Sequence, residues 1–162
     1  MFQTPEEAAE ALFGAIPHAI TPAVLEEYGI EAAGPAHHIT RELLSLSLFR
    51  IHWALQAVLP PKHREQVLAA LHRRVVAGWE KDLWLEGSEL EFFDRVAEQR
   101  KTYTQAMQAG AGPVDIAHEA AALLVSHGAV PAEDRQKVLG LIIDLVPDTE
   151  LVELVEQLKS AE

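Results

Sequence analysis

The side chains of this chain best suited to chemistry lie in AHHITRELLSLSLFRIHWAL, residues 36–55. The stretch opens on adjacent histidines, His37 and His38. It then carries Glu42, Arg50 and His52 inside an otherwise apolar run. Imidazole and carboxylate together form a donor set for a divalent metal. An arginine close to a tryptophan, here Arg50 and Trp53, suits a pocket that binds an anion.

Helical geometry separates these candidates. At about 100° per residue, His38, Arg41, Glu42, Ser45, His52 and Gln56 share one narrow polar stripe. Leu43, Leu46, Leu48, Ile51, Trp53, Ala54, Leu55 and Val58 cover most of the remaining circumference. A helix this apolar is expected to be central, its polar stripe either a solvated edge or the lining of a cleft. His38 and His52 stand roughly 21 Å apart along the axis, too far to share an ion held at about 2 Å. His37 and His38 diverge on a helix, an objection that weakens if they precede it in the loop after Gly34–Pro35. His38 and Glu42, four apart, can meet; the simple expectation is a surface contact worth a few tenths of a kcal/mol. Arg50 falls among apolar residues. It must reach an acid on another helix or serve as an anion-binding group.

Three further sets stand outside this stretch. Asp115 and His118, in VDIAHEAA, form a second carboxylate–histidine pair. Metal sites in helical bundles use acid-x-x-His on facing helices, but the chain has no Glu-x-x-His. Asp115 is also explained as a first-turn acid. If the two pairs faced each other they would supply four ligands: His38, Glu42, Asp115 and His118. Arg100 and Tyr103, in EQRKTYTQAM, fall on the apolar side of their helix. The simple expectation is an internal salt bridge, with the Tyr103 ring in the core and its hydroxyl at the edge. His127, before Gly128, reads as a C-terminal cap. The candidate ligand-binding residues are thus Arg50, Trp53, His52, Arg100 and Tyr103. No organic cofactor is expected.

The elements that must position these residues read as helices. TPEEAAEALFG places Thr4 as N-cap, Pro5 at the first helical position, Glu7 in a capping box and Gly14 as a stop. TPAVLEEYG repeats the device with Thr21, Pro22 and Gly29. A third helix should start between 36 and 40 and end at Pro60–Pro61. A fourth is expected over 61–85, with Val67, Leu71, Val75, Trp79 and Leu83 on one face. Gly87 breaks it and Ser88 caps a fifth, over 89–109, with Leu90, Phe93, Val96, Ala97, Tyr103 and Met107 on one side. GAGP, 110–113, is the clearest loop and a candidate weak hinge. A sixth helix covers 114–127, and VPAED and VPDTE introduce two short ones. The expectation is one all-α domain over 1–162, a bundle of seven or eight helices. Short terminal helices would pack around a longer central hairpin.

Composition bounds the function. The net charge of −12 opposes nucleic-acid backbones. With no cysteine there is no disulfide, thiolate catalysis or Cys-ligated metal. No apolar run reaches the length of a membrane span, and the acidic N-terminus lacks the basic region of a secretory signal, so a cytoplasmic location is expected. No nucleophile elbow, phosphate loop, His-Glu-x-x-His or dinucleotide fingerprint occurs. Charge is unevenly placed. Residues 37–74 hold six Lys/Arg, two acids and five of the eight histidines, between acidic ends. Either acidic terminal helices pack around a basic hairpin, or the basic segment 63–74 forms a groove for an acidic peptide or small anion. The first reading is a non-enzymatic module that binds another protein or itself, with an apolar side of 43–58 in a homodimer seam. The alternative is a small-anion or divalent-metal site within the bundle, with or without catalysis.

Overall fold

A computed structural model describes residues 4–17, 20–30, 36–83, 85, 88–146 and 148–160, with the side chains of all but 36–37, 148–149 and 159–160. The expected Gly34–Pro35 loop, the His37 side chain and the Gly87 break lie outside these. Among the described residues the chain is all α, with no strand. The helices are α1 (Pro5–Ala15), α2 (Pro22–Glu27), α3 (Ala36–Val58), α4 (Pro61–Ala77), α5 (Glu89–Gln108), α6 (Pro113–Ser126), α7 (Arg135–Leu145) and α8 (Asp148–Ser160), with a 3-10 turn at Ala132–Asp134 before α7.

The caps explain most boundaries. The hydroxyls of Thr4, Thr21 and Ser88 accept from the backbone N–H groups of Glu7, Val24 and Glu91. Each satisfies an amide that the first turn leaves without a helical partner. Asp115 accepts from the Gly112 N–H at 2.9 Å, the expected first-turn role. Gly29 and Gly128 take positive φ (72° and 73°) past the ends of α2 and α6. Two boundaries differ from expectation. Gly14 does not stop α1, which continues to Ala15. The fourth helix ends at Ala77, not near 85. There the chain folds back, and the amides of Asp82 and Leu83 both donate to the Gly78 carbonyl at 3.0 Å. A Cβ on Gly78 would lie 2.8 Å from the Asp82 carboxylate and 2.9 Å from the Arg74 guanidinium. Glycine leaves room for that ion pair, which closes at 3.2 Å.

α3 is the shared wall of two apolar clusters. Leu44, Ile51 and Leu55 face one, with α1, α4, the start of α5 and α8. Ile39, Leu43, Leu46 and Phe49 face the other, with α2, Tyr103, α6 and α7. This double burial accounts for the near-continuous apolar circumference. α5 corrects the expected register. Its buried stripe is Phe92, Val96, Gln99 and Tyr103, whereas Leu90 is 72% exposed. The offsets 92, 96, 99 and 103 keep one face over three turns; starting at Leu90 rotates the helix away from it. α1 lies on α4, where Glu10 accepts from Arg74 at 2.6 Å and Glu6 from Arg73 at 3.4 Å. An acidic terminal helix therefore does pack on part of the basic segment. Lys62, His63, His72 and Arg73 remain exposed on it.

Candidate functional site

The polar stripe of α3 is neither a solvated edge nor a cleft along its whole length. Its centre is packed against α5. Glu42 and Ser45 are buried, 4% and 3% exposed, where Gln99 and Tyr103 meet them. The Tyr103 hydroxyl donates to Glu42 Oε1 at 2.9 Å, and the Gln99 amide donates to Oε2 at 3.1 Å. The Ser45 hydroxyl donates to the Gln99 carbonyl oxygen. Burial pushes the Glu42 carboxyl up from its usual range; the two donors oppose that shift. Burial first, and the Glu42 carboxylate second, push Tyr103 up. The expected surface contact between His38 and Glu42 gives way to this network, because Glu42 turns both oxygens to α5 while His38 is exposed. The Tyr103 hydroxyl sits in the interior, not at the edge. These four side chains fasten α3 to α5.

Arg50 reaches backbone carbonyls at the ends of two other helices. Its guanidinium donates to the carbonyls of Val146, at 3.3 Å, and Pro113, at 3.1 Å. It thereby serves the C-cap of α7 and the first turn of α6, where backbone oxygens lie at the surface of the core. Beside it, a cavity of about 210 Å³ is lined by Phe49, Trp53, Ala54, Met107, Pro113, Ile116, Leu151 and Val152. Trp53 lies against Phe49, ring centres 6.1 Å apart. Arg50 and Trp53 thus share one wall, as their spacing suggested.

His52 and Arg100 come together elsewhere. They line a groove of about 470 Å³ between α3, α4 and α5, with Leu48, Leu68, Ala69, Leu71, His72, Arg73, Phe93 and Val96. The floor is apolar. The His72 ring stacks on Phe93, centres 4.0 Å apart. Every ionisable residue of the lining is a histidine or an arginine. Burial, then the charges of Arg100 and Arg64, lower the pKa of His52, so its imidazole is neutral near pH 7. Two nitrogens, His52 Nδ1 and Arg100 Nε, are buried without a hydrogen-bond partner among the described residues. No ion pair forms between Arg100 and a described acid, in a chain with 25 of them. The expected internal salt bridge is therefore not what holds it.

The five candidate ligand residues thus divide three ways: Arg50 with Trp53, His52 with Arg100, and Tyr103 in the buried network. The metal candidates do not converge. Glu42 is occupied by α5 and Asp115 by its cap, while His38 is exposed. Among the described residues no group of three or more His, Asp or Glu could hold an ion. No described helix is long and apolar enough to cross a membrane. His72, Leu68 and Gln99 were not singled out by sequence. Only Gln99 left a trace, at the i,i+4 spacing to Tyr103 on the stripe begun by Phe92. Comparison of the chain with protein-family models, with curated proteins and with solved structures finds no match.

Proposed function

We propose that this protein is a non-enzymatic binding module, and that the groove between α3, α4 and α5 takes a small organic anion with an apolar body. One observation carries the reading. Arg100 and His52 stand on an otherwise largely apolar lining that holds no acid, and Arg100 has no ion pair with a described acid. Ligand pockets combine a mostly apolar wall with a few such convergent polar groups. The chain's −12 charge makes an acid-free cationic groove an exception that needs a reason.

Self-association through the third helix, the other expectation, has less support. Leu43, Leu44, Leu46, Phe49, Ile51 and Leu55 are covered by the chain's own helices. An acidic peptide laid along α4 is the second reading, favoured by the exposed Lys62, His63 and Arg73 leading to the groove.

Anilinonaphthalene sulfonate, an amphipathic anion that fluoresces on leaving water, tests the proposal. It should bind the native protein with one saturable site, and Ala69→Trp, which sets an indole over the groove from an exposed position, should abolish the signal. Binding unaffected by Ala69→Trp places the ligand elsewhere and sinks the reading. Binding of a polyglutamate peptide, with none of the sulfonate, moves the case to the peptide.

A further inference from the structure

The groove's donors narrow its ligand. We infer that the groove takes a monocarboxylic acid with an aliphatic or aromatic tail, its carboxylate held by Arg100 and His52 and its tail laid on Leu48, Leu68, Phe93 and Val96. The inference rests on the proposed binding groove and goes beyond it in naming the head group.

The first reason is donor count. Arg73, at the rim, is turned to Glu6 at 3.4 Å, and His72 has its ring face on Phe93. Arg100 is thus the lining arginine with no ion pair to a described acid, and its planar fork matches the two oxygens of a carboxylate. The second reason is charge. His52 is neutral near pH 7, for the causes given above, so Arg100 supplies one positive charge inside the groove. One guanidinium balances a monoanion, whereas a phosphate monoester brings close to two charges and three acceptor oxygens. The third is backbone. α3, α4 and α5 line the groove with residues from their second turns onward, so no helix N-terminus contributes its amides, the usual cradle of a phosphate. The fourth is the floor: the remaining lining is aliphatic or aromatic, which demands an apolar tail. In the bound state the outer Nη–H groups of the Arg100 guanidinium donate to the carboxylate, with the His52 imidazole beside it.

Calorimetric titration of octanoate, octyl phosphate and octanol against the native protein tests this, because the three share a tail and differ in the head. Octanoate should bind at least about tenfold tighter than either of the others. Arg100→Gln should weaken octanoate at least about tenfold and leave octanol unchanged. Arg100→Lys keeps the charge but not the fork, and should recover only part of that loss. Each variant's melting temperature shows that it is folded. Octyl phosphate binding more tightly than octanoate, with the same dependence on Arg100, overturns the carboxylate and leaves the groove reading standing. So does failure of octanoate to bind or to displace the sulfonate dye from a groove that still binds the dye. Octanoate binding that ignores both Arg100→Gln and Ala69→Trp overturns the inference and its site together.

Discussion

Replacing Tyr103 with phenylalanine removes one oxygen from the α3–α5 interface. The ring is fully buried and packs on Phe49 with centres 5.2 Å apart, so it should stay in place. What is lost is the donor to Glu42 at 2.9 Å, leaving that carboxyl with Gln99. A hydrogen bond to a charged group contributes about 1.5–3 kcal/mol, and one to a neutral group about 1 kcal/mol. Tyr103→Phe should therefore cost about 1.5–3 kcal/mol where Glu42 is ionised and about 1 kcal/mol where it is protonated. For a chain of this size the larger loss lowers Tm by roughly 3–12 °C. The pH dependence has a definite sign. Burial raises Glu42 above the usual 4.5, so the native state holds that proton more tightly than the unfolded chain. The resulting stability is fully present below pH 4.5 and is lost as pH rises through the raised native value. The Tyr103 hydroxyl opposes the shift, so its removal raises the native value further and deepens the loss. The Tm gap between wild type and Tyr103→Phe should widen from about pH 4 to about pH 8, followed by calorimetry. In a Glu42→Gln background, where residue 42 no longer titrates, the gap should be flat. A gap that is constant with pH in the wild-type background, or no cost at all, would refute the reasoning.

Other sites carry equally definite expectations. Arg50→Ala removes a donor to the Val146 carbonyl and the second donor to that of Pro113, and should cost about 1–3 kcal/mol in urea unfolding, with Arg50→Lys recovering little because an ammonium lacks the two-pronged reach. Leu46→Ala and Leu55→Ala, each 0% exposed and one in each apolar cluster, should each cost about 2–5 kcal/mol and lower one common melting transition; two separately moving transitions would mean that α3 does not couple the clusters. His52→Leu should remove a pH effect of opposite sign to that of Glu42. The lowered His52 contributes stability above its usual 6.5 that is lost as pH falls toward its depressed native value, so the variant's melting curve should be flatter below neutrality.

The helices were legible because their punctuation is local: Thr4, Thr21 and Ser88 announce the first turns they cap. The end of α4 was not, since Trp79 and Leu83 continue its apolar spacing and are buried by a turn instead. At the turn Gly78 lies beneath the ion pairs of Arg74 with Asp82 and with Glu10, and Glu10 lies far outside any local window. The candidate site divides the same way. The angular positions of Glu42, Ser45 and His52 on α3 followed from helix geometry, but which neighbour faces them did not. On α5, Val96 and Tyr103 were placed on the buried side, but taking Phe93 in place of Phe92 left out Gln99 and its match to Glu42. The carbonyls that Arg50 meets were not legible either, because every residue carries one and only the fold exposes it.

The central claim is that the α3–α4–α5 groove meets an organic anion through Arg100. The most direct test is the Nε–H resonance of Arg100 in a nitrogen-15 spectrum during titration with octanoate. It should shift as octanoate saturates the groove, while the Nε–H signals of Arg50 and Arg73 stay where they are. A titration in which Arg100 is silent and another arginine responds, or none does, would contradict it.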